Sequence, residues 1–538
     1  MLSGEGIIAN KPDRDKQEDM PMKLPERITD RKQWYIKTLL LSIYVFVIAF
    51  TWAFMNISAS LVGRVLPAVF VTLLLAPVFF RLLQKVGQVE LAPGETKGLP
   101  VFLCTFLIVL TVECLWYAAY SPGCFSTDSV EQMNMAVTGQ YNDWHPYWQT
   151  IITFTLPLKL TGSTGSIVLI QILWFSLTMA YTAYVINRHA GLLPAVIATA
   201  LVALNPYVSR LMMYPWKDIA FGTAGCAALA MATDLYFDRE RRGRLMFLIP
   251  LGLIAANATL FRHNGILFTA PLILAAVFCV KGKKKLYILL SFLLMIGFVK
   301  IPLAGWLGVE KPGNRVTEIT GLPMTVIGNV AKEAPEKMDE ELSSFAYSVA
   351  PAEQWKEMPT GNFNMVKWYG ANTDAIEEAG TGKVLQLMLK SFRAAPTAAL
   401  RGLIALTDLV YGVETGLKGS YVLPRGSGGI AYSGNAALVD KLEAYNQFTE
   451  GTVFRYLRTY GVALLTIMTV LLAKFRTWKK DWKKLLLVSS LFVYDFGTML
   501  LLTGDDSRFF WITHLVAPMM VSLLLAKDPE EKGQEGAG

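Results

Sequence analysis

Apolar runs close to 20 residues long recur along the whole chain, separated by short polar stretches in which Lys and Arg cluster. A bilayer core about 30 Å thick takes roughly 20 apolar residues to cross as a helix, and only helices or closed barrels satisfy their own backbone there. The pattern predicts an all-α polytopic membrane protein. Twelve spans are expected: Thr38–Met55, Leu66–Leu83, Pro100–Ala119, Ser166–Ile186, Leu192–Met213, Ile219–Leu235, Leu245–Leu260, Ile266–Val280, Leu286–Ala304, Val453–Leu472, Leu485–Leu502 and Phe509–Leu525. Tyr147–Leu160 is apolar but short. If it crossed, the basic runs Arg239-Glu240-Arg241-Arg242 and Lys281-Gly282-Lys283-Lys284-Lys285 would fall outside, against the positive-inside rule. It is therefore read as an interfacial or re-entrant helix that stays on the outer side.

This assignment divides the chain. Residues 1–37 form a polar, basic cytoplasmic segment without a signal-peptide pattern, 38–98 two leading helices and a linker, and 99–304 a transmembrane core with a first outer loop at 120–165. Residues 305–452 form an extracytoplasmic region inserted before three C-terminal helices at 453–526, and 527–538 a cytoplasmic tail. A stretch as long as 305–452 is too long for a bare loop, and a small mixed domain on the membrane surface is expected, with an apolar helical stretch at Val384–Val413. Its Arg425-Gly426-Ser427-Gly428-Gly429 segment reads as a flexible loop, because no strand–turn–helix context supports a phosphate cradle. Both termini are placed inside.

Composition agrees: 53% of the 538 residues are hydrophobic and only 17% charged, against about 25% charged in soluble proteins. The net charge of +8 sits in loops at alternate ends of the spans, so it reads as a topology signal and not as a nucleic-acid surface. Of the five cysteines, Cys104, Cys114, Cys226 and Cys279 lie in spans and only Cys124 faces outside, which offers neither a disulfide pair nor a metal-type spacing.

The polar residues with chemical capacity map to the outer ends of spans. Asp128 and Glu131 open the first outer loop, and Asp143 and His145 close it. Trp216-Lys217-Asp218 and Arg262-His263-Asn264-Gly265 lie at later outer turns, Lys300 near the outer end of its span, and Asp505-Asp506-Ser507-Arg508 at the last outer turn. Such turns can converge on one cavity. Each residue also has a plainer reading. Asp128 could cap a helix after Ser126-Thr127, Asp218 could pair with Lys217 or cap the next span, and His145 could serve only as a turn residue before Pro146. Arg262 and His263 could anchor at lipid headgroups, and Arg508 could form a surface ion pair with Asp505 or Asp506. Glu113 and Asp495 are intramembrane acids, which usually face a bundle interior, and His514 reads as a core histidine.

The pattern resembles the GT-C superfamily of integral-membrane glycosyltransferases, in an uncharacterised bacterial branch. The resemblance covers residues 100–300 and the last turn near Arg508. It rests on an acidic residue in the first outer loop (Asp128), the His145-Pro146-Tyr147-Trp148 element with its surface helix, a second acid two spans later (Asp218), and the Arg262-His263-Asn264-Gly265 turn. The first acid lacks an adjacent second acid, and the Trp-Trp-Asp signature of oligosaccharyltransferases is absent, since Trp368-Tyr369-Gly370 does not match it. The resemblance implies a sugar donor carried on polyprenyl phosphate, and an envelope glycan, lipid or protein as acceptor at the outer face of a bacterial plasma membrane. Asp128 and Asp218 would then be catalytic. Arg262, Lys217, Arg508 and Lys300 would hold the donor phosphate, and Glu131, Asp143, His145, His263 and Asn264 would contact substrate. No metal is expected, because several outer cations are on offer; Asp128, Asp218 and Asp505 are the oxygen ligands available to Mg²⁺ or Mn²⁺. The rival reading is a twelve-helix secondary transporter, or a flippase for lipid-linked precursors. Transporters place charges near the midplane on broken helices, often in two similar halves, whereas these polar residues gather at outer ends.

Overall fold

The computed structural model describes residues 24–413 and 429–528, with side chains from Arg31 onward. Arg425–Gly428 of the glycine-rich loop lie outside the described residues, as do the first 23 residues. The described residues form helices and turns, with two isolated bridges and no strand.

The chain begins with α1 (Leu24–Asn56), α2 (Leu61–Gln88) and α3 (Gly98–Tyr120), then α4 (Thr127–Thr138) in the first loop. Next come α5 (Tyr147–Thr150) and α6 (Leu156–Thr161), joined by a π-helical turn at Ile151–Thr155. The core continues with α7 (Gly165–Ala190), α8 (Leu192–Ala203), α9 (Pro206–Met212), α10 (Lys217–Phe237), α11 (Leu245–Phe261), α12 (Ile266–Cys279), α13 (Lys285–Phe298) and α14 (Ala304–Trp306). The inserted region supplies α15 (Arg315–Ile319), α16 (Gly321–Glu333), α17 (Glu340–Val349), α18 (Ala352–Glu357), α19 (Phe363–Trp368), α20 (Thr373–Ala394), α21 (Pro396–Tyr411) and α22 (Ala436–Gly451). The chain closes with α23 (Tyr460–Lys474), α24 (Trp478–Met499) and α25 (Trp511–Leu525).

Among the described residues, seven helices are long and apolar enough to cross a membrane, and there are eight if α8 and α9, which are bent by 58°, count as one span. The shorter apolar helices α11, α12 and α23, with α24, fill the remaining positions at which spans were expected. The protein is an all-α polytopic membrane protein. The α8–α9 bend has a local cause: the Asn205 side chain caps α9 by accepting from the Tyr207 amide, and Pro206 supplies the first helical residue. The tenth predicted span starts late, at Tyr460, because Val453–Arg458 is a 3₁₀ turn. That turn holds Arg458, which is buried and paired with Glu450 at 2.8 Å.

Two further expectations change. The inserted region is helical where described, not mixed, and has its own core around Trp355, Phe363, Leu342 and Leu387. The stretch at Val384–Val413 is not one helix: it breaks at Ala395, before Pro396, into α20 and α21. α21 packs against α16 and α20 of the inserted region and also against α1, α23 and α24 of the membrane bundle, so it joins the two.

The main core draws on α3, α7, α8, α10, α11, α12, α24 and α25, among others. α10 is buried almost throughout, so the turn that starts it is held on all sides. The middle of the first loop is tied down at two points. Residues 141–143 bond the backbone of Glu310, and the Tyr147 hydroxyl donates to the Val299 carbonyl on a second π-helical turn, Val299–Leu303. Single π turns often mark functional positions in helices.

A candidate active site at one end of the bundle

Asp128 lies in the first turn of α4, but it is not the cap. Ser126 caps α4, accepting from the Ser129 amide at 3.4 Å, and its hydroxyl also accepts from Trp216 Nε1 at 2.7 Å. The Asp128 carboxylate is thus free of backbone duty and pairs with Arg508, Nη2 to Oδ2 at 2.9 Å. Arg508 Nε lies 2.7 Å from Asp506 Oδ2 and 3.6 Å from Asp218 Oδ2. Asp218 is also paired with Arg262, and Arg262 Nε donates to Asn264 Oδ1 at 2.7 Å. The two guanidiniums rest on aromatic faces, Arg508 on Trp216 and Arg262 on Phe509, each 4.4 Å from the ring centroid. Four sequence-distant turns therefore meet in one alternating cluster of carboxylates and guanidiniums.

A second chain of groups joins it. Lys217 Nζ donates to His145 Nδ1 at 3.1 Å, and His145 Nε2 faces Glu131 Oε2 at 3.5 Å. Asn142 Nδ2 steadies Glu131 Oε1 at 3.3 Å. At the rim, Lys300 pairs with Asp143 at 2.9 Å, and His263 Nε2 lies 3.0 Å from the Asp143 carbonyl. Asn264 also donates to Thr498 at 2.6 Å, which pins its turn to α24.

Electrostatics follow from these contacts. Burial opposes ionisation of Asp128, but Arg508, Lys217 and His145 outweigh it and hold the carboxyl at about 2. Glu131 is lowered, first by its hydrogen bond to His145. Burial and then the charge of Lys217 lower His145, so the imidazole favours its neutral form with Nδ1 as acceptor. Asp506 moves the other way: burial raises it against the pull of Arg508.

Of the residues singled out in the sequence, Asp128, Asp218, Arg262 and Arg508 converge directly. Lys217, His145 and Glu131 adjoin them, and Asn264 supports Arg262. Lys300, Asp143 and His263 form the rim pair and its neighbour. Asp505 is separate: Asn362 of the inserted region donates to its Oδ1 at 2.8 Å. A Cβ on Gly504 would meet the same Asn362 side chain at 2.7 Å, so the last turn and the inserted region touch closely there. Asp128, Asp218 and Asp505 do not form a common ligand set. No group of three His, Cys, Asp or Glu side chains among the described residues is arranged to hold a metal ion.

The sequence did not point to the supports of Arg508. The Tyr207 hydroxyl donates to Ser507 Oγ at 2.7 Å and the Tyr460 hydroxyl to the Ser507 carbonyl at 2.6 Å. These phenols come from α9 and α23 and fix the peptide immediately before Arg508. His514 lies in the same aromatic cluster, with its ring 5.5 Å from Tyr207 and 4.7 Å from Tyr460. The intramembrane acids lie apart: Glu113 accepts from Ser209 at 2.9 Å and Asp495 from Thr513 at 2.8 Å.

No protein-family model matches the chain, and comparison with curated proteins gives no match. Among solved structures, the archaeal oligosaccharyltransferase AglB from Archaeoglobus fulgidus, in complex with an inhibitory peptide and a dolichol-phosphate, aligns with 79% of this chain at 13% identity and a TM-score of 0.37. The alignment takes in 50% of that structure, so the chain spans about half the length of the protein it matches.

Proposed function

We propose that the protein is a membrane glycosyltransferase of the GT-C kind, which moves a sugar from a polyprenyl-phosphate donor to an extracytoplasmic envelope acceptor. The observation that carries this reading is the meeting of Asp128 and Asp218 with Arg262 and Arg508 at one end of the bundle. The sequence resemblance to that superfamily, with Asp128 and Asp218 at its two acidic positions, supports it.

A sugar on a lipid phosphate has a good leaving group and needs no strong general acid. It needs cations where charge develops on the departing phosphate. Arg262 and Arg508 offer planar, bidentate donors for phosphate oxygens, and Lys217 adds a point charge. The acceptor hydroxyl needs a base, and Asp128 is the carboxylate on the exposed side of the cluster, with a third of its side chain accessible. The acceptor oxygen attacks the anomeric carbon and the bond to the phosphate oxygen breaks. That oxygen keeps the electron pair, and the hydroxyl proton passes to Asp128. One displacement inverts the anomeric configuration; a product with retained configuration would overturn this part. Lys300, Asp143 and His263 would line the substrate entrance, and the inserted region, docked on the last turn by Asn362 and Asp505, would help hold the acceptor.

A transporter would concentrate its charges near the midplane. Here the cluster is built from turns at helix ends, which favours an enzyme. The test is the surface-glycan composition of cells expressing wild type or Asp128→Asn at matched protein levels. Loss of one sugar from the envelope, with accumulation of its lipid-linked precursor, is the expected result. Unchanged glycans would reject a catalytic role for Asp128 and bring the transporter forward.

A further inference from the structure

Arg508 is held by three carboxylates that differ in how firmly they are fixed. Asp506 is two residues away on the same turn. Its Oδ1 accepts from the Arg508 amide at 3.3 Å while its Oδ2 holds Nε at 2.7 Å, so it binds both backbone and side chain. Asp218 is 1% exposed and already committed to Arg262. Asp128 comes from a different segment, makes a single contact with Arg508, and is the most exposed of the three at 33%, against 20% for Asp506. A phosphate approaching Arg508 Nη2 meets this carboxylate first. Two anions cannot share that nitrogen without repulsion in a partly desolvated site.

We infer that Asp128 and the donor phosphate exchange on Arg508: Asp506 is the permanent anchor, and the phosphate displaces Asp128, which becomes free to accept the proton of the acceptor hydroxyl. This rests on the reading of the site as a lipid-phosphate glycosyltransferase. It resolves a conflict within the resting site. A carboxylate held by a guanidinium is a weak base, and Asp128 in this structure is one. Taking Arg508 away removes the principal charge that stabilises the ionised form, so its basicity rises only when donor is bound. Without donor, Asp128 stays paired and cannot activate water or acceptor. With donor, the electron pair of the broken anomeric bond goes to the phosphate oxygen on Arg508 and Arg262, and the proton goes to Asp128. When lipid phosphate leaves, Arg508 returns to Asp128, and the carboxyl sheds its proton to solvent. Asp506 is a positioning residue in this scheme: it keeps Arg508 aimed while its partner changes.

The experiment measures binding of undecaprenyl phosphate to the full-length protein by native mass spectrometry, with undecaprenol as the uncharged control. Wild type should prefer the phosphate, and Arg508→Gln should lose that preference. Asp128→Asn should bind the phosphate about tenfold more tightly, since it no longer competes for the guanidinium, the scale of one charge-assisted contact. Asp128→Glu, which restores a carboxylate, should return toward wild type. Asp506→Asn should bind more weakly. The opposite signs at the two acids separate exchange from a general field effect, in which removing either negative charge would tighten binding. Equal tightening in both, or unchanged affinity in Asp128→Asn, would overturn the exchange while leaving the glycosyltransferase reading standing. If wild type does not distinguish the phosphate from the alcohol, or Arg508→Gln and Arg262→Gln keep the preference, the assignment of the phosphate site falls, and the exchange with it.

Discussion

The residues of this site are defined less by identity than by what holds each one. His145 shows this. Before Pro146 it could have been a turn residue, yet it is buried at 2% exposure between Lys217 and Glu131. Its lowered pKa comes from burial first and Lys217 second. A histidine whose folded pKa is depressed binds fewer protons than the unfolded chain below its ordinary value near 6.5, so its environment favours folding above that pH and loses that advantage as pH falls toward the folded value. The thermal midpoint of wild type should therefore drop more steeply below about pH 6.5 than that of His145→Gln. Parallel curves for the two proteins would show that His145 titrates as an ordinary exposed imidazole and that its contact with Lys217 does not matter. Asp128 follows the same logic with the sign of a carboxylate, ionised down to about 2 because Arg508 and Lys217 outweigh burial.

At the scale of elements, short pieces of chain place the chemistry and long apolar helices carry it. α4 is a helix of 12 residues whose start is set by Ser126. The same hydroxyl receives the Trp216 indole, and Trp216 is the platform under Arg508. Ser126→Ala removes a helix cap, worth about 1 kcal/mol, and leaves the indole without that acceptor. A lower thermal midpoint and a weaker affinity for undecaprenyl phosphate are expected together. A lower midpoint with unchanged affinity would mean that the cap stabilises α4 without positioning Arg508. The π turns at Ile151–Thr155 and Val299–Leu303 are linked through Tyr147, so the segment after His145 is braced against the end of α13. No hydropathy pattern signals a π turn, because it depends on one extra residue in a helix and not on polarity.

For the molecule as a whole, the helix ends that build the site belong to the face that the charge pattern places outside. The basic turns after α10 and α12 and between α23 and α24 belong to the other ends of those helices. This makes a labelling prediction in intact cells, in a background whose five cysteines are replaced by alanine. An impermeant maleimide should modify cysteines introduced as Gln140→Cys, Ser163→Cys and Asp374→Cys, all at exposed positions, and should spare Lys283→Cys and Lys480→Cys. Labelling of only one of the first two positions would mean that the segment 147–161 crosses the membrane, and every later loop would invert.

The positions of the apolar helices and the short segment after Pro146 were legible along the chain, because the bilayer selects for length and hydrophobicity, and these are local properties. The candidate residues were legible too, since charged groups at helix ends stand out against apolar runs. Their partners were not. Whether Asp128 caps a helix or faces a guanidinium depends on Ser126 taking the cap and on a turn 380 residues later bringing Arg508 to it. The clamping of Ser507 by Tyr207 and Tyr460, the departure of Asp505 toward Asn362, and the packing of α21 against both the inserted region and the bundle each join segments with no shared local pattern. One-dimensional polarity determined what must be buried in lipid and which polar groups were left over. Only the packing of the helices decided which of those groups face each other, because charge pairing depends on distances between chain segments that the order of residues does not contain.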